Sequence, residues 1–551
     1  MNTKYILSLL ALTTLFMSAC DDYLNVEPDN RVMIDTPEKV QQLLINSYPN
    51  VNYATVAELS ADNFIDNNAP NSKGIYYSLP SFDRMDDDLF AWEDVKTSSD
   101  SGDSPYELWE QYYQSIACAN EALQAIDKII QKGISDEVLK KNLLPSKGEA
   151  LMIRAYSHFM LVNIFSKTYK DAQRSKSDLG VRYVTEPIDV INIESKRNSV
   201  AEVYEFIAKD IENGIGLISN EVYKVPKYHF NTRAAHAFAA QFYLFKRDYP
   251  KVIAHADYVL GADSYNSLRD WSTVHNNISQ EAYAYMSTDE AANLLILPTY
   301  STYCRRFFSM RYGCNGDATR GSVRDIGPTW SGSSAPFAVG RWWSTDFSYG
   351  GFMAKVYEQF EYTDRVAGIG HPHIVRTEYT TDATLLDRAE AYIFMNEIDK
   401  AVADLHAWNE SHKGTQGGRV STLTKAAITT FYTPNRPHFS YVFHTRELSP
   451  EFTVMPDQKP FVDCVLHFRR LERVLEGHRW FDVKRYGIEL EHFVGRENTR
   501  VRLTYDDDRR AVQIPSDVVG AGVEPNPRPN KVSDVLSKLT IHRLEDESNN
   551  E

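Results

Sequence analysis

The densest set of reactive side chains is Glu472, Glu476, His478, Arg479 and Asp482, which puts carboxylates, an imidazole and a guanidinium in one short stretch. Such types could serve acid–base chemistry. A catalytic carboxylate pair must face a bond from opposed positions. The local pattern instead reads as a helix, on which Glu472, Glu476 and Arg479 lie one turn apart and form intrahelical ion pairs. The stretch is therefore expected to be structural, with no catalytic residues. His371-Pro372-His373 with Glu378 offers nitrogen and oxygen donors, but two histidines in a loop are weak evidence for a metal. Asp86-Asp87-Asp88 could hold calcium, yet it lacks the ligand spacing of an EF-hand, so no cofactor is expected. The chain has no Walker loop, dinucleotide fingerprint or nucleophile elbow.

Cys20 carries different chemistry. Lys4 and an apolar run from Tyr5 to Leu12 make a segment too short to span a bilayer stably, suited to a secretory signal. Ser18-Ala19 stands directly before Cys20, which resembles a bacterial lipobox whose thiol takes lipid once it becomes the N-terminus. The reading is a signal peptide over 1–19, then a lipidated cysteine and flexible tether over 20–36. Cys118 and Cys464 fall in apolar helical patterns as small buried hydrophobes. Cys304 and Cys314 could pair in an exported protein or remain thiols. The net charge of −16 excludes a nucleic-acid surface, which needs basic residues to displace counterions. Aromatic residues at 12%, with 33 Tyr, exceed the ordinary and serve either a large core or a binding surface.

These side chains need elements to position them, and the helical period supplies most. Thr36-Pro37-Glu38 caps a helix through Val40 and Leu44. A strong period runs from Pro105 to Gly133, and another, broadly apolar, from Ser146 to Phe165. Ser199 and Glu202 form a capping box ahead of Val203, Ile207 and Ile211. The segments 233–260 and 382–410 repeat small and bulky residues at a constant offset: Ala240, Tyr243, Val252 and Ala256 against Ala389, Tyr392, Ala401 and Leu405. That is the stacking logic of tetratricopeptide helix pairs. A final helix is expected from Val465 to Val483. Loop-rich insertions lie near 50–104, 298–381 and 411–460, within a single domain over 37–530 and ahead of a polar tail over 531–551. The fold class is mostly α, a helical-pair scaffold with long insertions.

In this order the chain resembles the SusD/RagB family of surface lipoproteins. The resemblance rests on Cys20-Asp21-Asp22-Tyr23-Leu24, on Trp109, Tyr112 and Asn120-Glu121-Ala122, and on Gly148-Glu149-Ala150 through Arg154-Ala155-Tyr156. It continues in Asp387-Arg388-Ala389-Glu390-Ala391-Tyr392 and, most specifically, in Leu475-Glu476-Gly477-His478-Arg479-Trp480-Phe481-Asp482-Val483-Lys484-Arg485-Tyr486-Gly487. Two departures stand out: the usual upstream Glu-Arg reads Phe468-Arg469-Arg470, and Asn526-Pro527 lacks the following Gln-Asn. The resemblance implies a non-enzymatic glycan-binding lipoprotein on the outer face of the outer membrane, anchored through its N-terminal lipid. It also implies a SusC-like TonB-dependent transporter as partner, to which oligosaccharides are delivered. Peptide or glycopeptide cargo, as in the RagB branch, is the alternative, and a lipid-anchored glycoside hydrolase a third reading. A glycan site needs flat rings with polar groups at the rim. Rings of the first two insertions supply candidates in Trp92, Trp330, Trp342, Trp343, Tyr300 and Tyr76, with Asn71, Asp87 and Arg341 as polar partners.

Overall fold

The computed structural model describes residues 33–96, 102–187, 196–271, 277–308, 310–316, 318, 326–330, 342–343, 349–412, 422–433 and 441–528. The expected signal peptide, Cys20, most of the tether and the polar tail lie outside the described residues. Thr36 accepts from Lys39 N and opens α1 (Pro37–Ile45). Next come α2 (Ala54–Ser60), α3 (Arg84–Phe90), α4 (Pro105–Gln131), α5 (Leu144–Phe165) and α6 (Val200–Gly214), the last begun by the reciprocal Ser199–Glu202 cap. Helix α5 is buried along nearly all its length because α4 and α6 pack on either side of it. Gly148 and Gly214 permit the closest approach: a Cβ on Gly148 would sit 2.8 Å from the Gly214 carbonyl oxygen. Arg154 fastens the layer by donating to Asp210 at 2.7 Å and to Asn120 at 2.8 Å.

The repeat forms two stacked helical hairpins, α7 (Thr232–Lys246) with α8 (Tyr249–Leu260), and α9 (Thr381–Phe394) with α10 (Ile398–Ser411). Ala240, Ala256, Ala389 and Ala401 are fully buried where the helices touch. Each turn carries a left-handed residue at the corresponding place, Arg247 at φ 64° and Asn396 at φ 59°. Arg388 of α9 reaches Asp257 of α8 and Asp404 of α10, both at 2.7 Å, so one guanidinium ties the hairpins together.

Strands fill what reads as loop. In chain order they are β1 (Ile65–Asp66), β2 (Asn293–Tyr300), β3 (Tyr312–Gly313), β4 (Trp342–Trp343), β5 (Phe352–Met353), β6 (Gln359–Asp364), β7 (Ile369–Thr380), β8 (Leu490–Val494) and β9 (Thr499–Leu503). The insertion expected over 298–381 contains most of an antiparallel sheet ordered β2-β7-β6, while β1 pairs β3, β4 pairs β5 and β8 pairs β9. The first insertion likewise contains α2 and α3. One hydrophobic cluster extends from Val40 to Ile514.

The final helix differs from expectation. It is two helices, α11 (Lys459–Glu472) and α12 (His478–Tyr486), separated by a turn with Leu475 at φ 67° and Gly477 at φ 86°. Glu476 therefore pairs with Arg473 at 3.0 Å, and Arg479 pairs with Asp62 at 2.7 Å on another segment, in place of the intrahelical pairs. Cys304 and Cys314 are not joined by a disulfide. Asn526 donates to Phe165 O and Val512 O, both at 2.8 Å, which docks the C-terminal segment on the end of α5.

Candidate functional site

The first and second insertions meet, and buried charge holds them together. Asp66, fully buried, accepts from Arg311 at 2.7 Å. The same guanidinium reaches Asp87 at 2.9 Å, where Ser81 Oγ and Tyr312 Oη also donate at 2.6 and 2.7 Å. Burial, then the hydrogen bond to Asp87, pushes the Tyr312 phenol well above its ordinary value, so it stays a donor. Asn67 donates to Met310 O at 3.0 Å and Tyr349 O at 2.6 Å, and Arg311 N to Pro80 O. Gly495 N at the β8–β9 turn donates to Asp66 Oδ2 at 2.8 Å. Three distant stretches thus share one carboxylate.

At the surface of this junction Tyr76 is 40% exposed, with the Arg496 guanidinium 4.7 Å from its ring centroid. Tyr77 and Tyr349 meet edge to face at 4.6 Å beside it. A ring with one cationic neighbour on a braced loop can take the apolar face of a planar or pyranose ligand while Arg496 donates to oxygen at the rim.

The other predicted ligand residues fall in several places. Trp92 is only 4% exposed; its ring stacks on His492 at 4.1 Å and its indole donates to Ser60 O at 3.0 Å, so it is a packing residue. Trp330, also 4% exposed, packs against His467 and Phe468 with centroids 5.8 and 5.9 Å away, and its ring likewise belongs to the core. Asp87 is committed to the clamp just described. Asn71 accepts from Lys73 N and Ile75 N at 2.9 Å, shaping the loop that presents Tyr76. Tyr300 is 40% exposed at the end of β2, 5.0 Å from the His371 ring. Trp342 and Trp343 pair through their backbones with Met353 and Phe352, and Arg341 lies outside the described residues. Glu378 bonds Arg376 at 3.1 Å and Tyr53 at 3.2 Å, so it does not join His371 at a metal.

Arg496 was the residue sequence reasoning missed, since only the β8–β9 turn brings it to Tyr76. A small cavity of about 40 Å³ lies elsewhere, lined by Trp92, Tyr106, Arg509 and Arg528. Its cations are already engaged, Arg528 with Asp94 and Arg509 with Asp507, each at 2.7 Å, which makes it a seam between elements.

Residues 22–244 match the family model for SusD-like proteins, described as starch-binding and associating with the outer membrane. Among curated proteins none matches the chain. Three solved structures share the fold at 18% identity and cover 90% of this chain. A Bacteroides vulgatus protein described as sugar binding has a TM-score of 0.57 over 99% of its own length. SusD superfamily proteins from Bacteroides thetaiotaomicron and Bacteroides vulgatus have TM-scores of 0.54 and 0.56 over 100% of theirs. Among the described residues no helix is long and apolar enough to cross a membrane. Its N-terminal part is thus similar in sequence to SusD-like proteins, and nine-tenths of its length shares the fold of solved SusD superfamily structures.

Proposed function

We propose that the protein is a cell-surface glycan-binding lipoprotein, without catalytic activity, that passes oligosaccharides to a SusC-like TonB-dependent transporter. In this reading residues 37–530 act as one binding unit. The observation that carries it is the Tyr76 and Arg496 pair, exposed on two loops that the buried Asp66 braces together, in a chain whose residues 22–244 match a family model described as starch-binding. Rigid presentation matters because ordering a mobile loop on binding would subtract from the affinity.

Tyr76→Ala removes the stacking ring. It should weaken glycan retention in affinity gels about tenfold, the equivalent of about 1.4 kcal/mol. Soluble starch, xylan and pectin are the panel, with circular dichroism confirming the fold. Unchanged retention of every glycan that the parent protein binds places the site elsewhere. Reducing-end release that disappears on substituting a carboxylate would overturn the binding reading itself.

The tether carries a second expectation. A leash confines a lid near its barrel at high effective concentration, without contributing to its pocket. Cys20→Ala should abolish membrane retention in cell fractionation while glycan retention by the released protein stays within about twofold. Loss of folding in that variant contradicts the tether.

A further inference from the structure

Away from the binding surface, three helix ends bring metal-ligand types together in the core. Asp382 lies in the first turn of α9, His412 directly follows α10, and Glu472 ends α11. Each is at most 3% exposed, and one donor atom from each lies within 4.8 Å of the others.

The partners behind these donors leave lone pairs turned toward one another. His412 Nδ1 is 2.8 Å from Trp408 O, an atom that can only accept, and 2.9 Å from Ser411 Oγ, whose own hydroxyl donates to Trp408 O at 2.9 Å, so Nδ1 carries the proton and Nε2 presents a lone pair. That lone pair sits 2.9 Å from Glu472 Oε2, which already accepts from Trp408 Nε1 at 2.9 Å. Both oxygens of Asp382 accept from Arg269 N at 3.3 Å. A histidine fixed through its far nitrogen by a carbonyl, beside carboxylates held by outer donors, is the arrangement that orients ligands around a metal. Ligands bound at roughly 2.0–2.2 Å stand about 3 to 4.4 Å apart, close to the observed spread. The Trp271 ring lies 5.7 Å from the His412 ring, and its buried indole N–H has no hydrogen-bond partner among the described residues. A fourth, oxygen ligand would meet such a donor.

Two cations stand nearby and must be weighed. Lys355 donates to the Glu472 carbonyl at 2.6 Å and faces Glu476 at 3.8 Å. Arg269 spends its guanidinium on Tyr285 O, Asn293 and Glu290. Neither enters between the three donors, so the choice there is between a second proton on His412 and a metal ion.

We propose that Asp382, His412 and Glu472 bind a divalent transition-metal ion of the zinc class, which clamps the second helical hairpin to α11. Nothing in the glycan reading depends on it. The test is elemental analysis of the purified protein, refolded from denaturant with and without Zn²⁺, followed by Co²⁺ substitution and its visible absorption. The expected result is about one ion per chain, a melting temperature raised by Zn²⁺ during refolding, and loss of both in His412→Gln. Asp382→Asn is the discriminating variant: it should also lose the ion, whereas a proton shared by His412 and Glu472 would survive it. A folded parent protein with no metal after refolding in Zn²⁺, and no cobalt band, overturns the proposal.

Discussion

Arg469→Met should destabilise the protein by about 3–5 kcal/mol, the loss expected when one partner of a buried ion pair is removed. The guanidinium is shared by Glu390 at 2.6 Å, Asp387 at 3.1 Å and Asp482 at 3.2 Å, joining α9, α11 and α12. Methionine of similar length fills the space and leaves the carboxylates without their shared counter-ion. Arg485 still reaches Glu390 and Asp482, so the loss should fall short of full collapse. Burial opposes ionisation of Glu390, but Arg485 and Arg469 outweigh it and hold the carboxyl below its ordinary value. In the parent protein, then, Glu390 contributes stability above the unfolded pKa of about 4.3, lost as pH falls through the depressed folded value. Without Arg469 the folded pKa of Glu390 rises, although Arg485 still draws it down. Asp387, which burial already raises to about 6 against the pull of Arg469, rises further, so its ionisation costs the variant more stability as pH climbs from 5 to 8. Urea titrations should therefore show a wider gap between parent and variant at pH 8 than at pH 5. An equal gap at both would mean the carboxylates are not what the substitution exposes. Arg469→Lys, which keeps the charge but not the fork, should recover part of the loss.

That network explains why the specific terminal motif was legible in the sequence while its geometry was not. Local signals carry through: Thr36 and Ser199 cap the helices they announce, and the alternation of Ala240, Tyr243 and Ala256 against Ala389, Tyr392 and Leu405 marks two hairpins that do stack. These depend on neighbours within a few turns. The break between α11 and α12 does not. Leu475 at φ 67° would be costly alone, and it is held because Arg479 on the far side pairs with Asp62 from the first insertion. Strand β7 lies in a stretch that reads as loop: Gly370 and Pro372 interrupt its first half, and its buried half, from Ile374 to Thr380, pairs with the distant β2.

The same distinction sorts the aromatic candidates. Trp92 and Tyr76 sit in one polar insertion, and nothing adjacent separates a core ring from an exposed one. The partner of Trp92 is His492, on the β8–β9 hairpin, which itself stacks on Phe90 at 4.2 Å. The next turn of that hairpin brings Arg496 over Tyr76. One remote element thus buries the first ring and completes the second, so ring type and loop composition cannot rank them. Asp86 and Asp87 divide in the same way: Asp86 pairs inward with Arg306 at 2.8 Å, and Asp87 pairs with Arg311.

Gly477→Val should cost about 2–5 kcal/mol, and its two causes can be separated. The first is backbone: at φ 86° an L-residue pays about 1–2 kcal/mol, with β-branching at the upper end. The second is space, since a Cβ would lie 3.0 Å from Ala54 Cα and 3.1 Å from both Ala57 Cβ and Tyr53 Cδ2, an overpacking that costs about 1–3 kcal/mol. Gly368 supplies the control. It has φ 67° at the β6–β7 turn and nothing within 4 Å of a Cβ, so Gly368→Val carries the backbone part alone. The difference between the two variants in urea is then the packing of α12 on α2. Equal losses would mean that this contact relaxes freely. The position also tests whether the terminal motif acts only through the fold. Gly477 N donates to Glu58 Oε1 at 2.8 Å, a fully buried carboxyl pushed up to about 7 by burial, and no residue of the Tyr76 surface is involved. Glycan affinity measured well below the melting temperature should therefore stay within about twofold of the parent. A larger drop in fully folded Gly477→Val would give the motif a part in binding that its buried, ion-paired geometry does not provide.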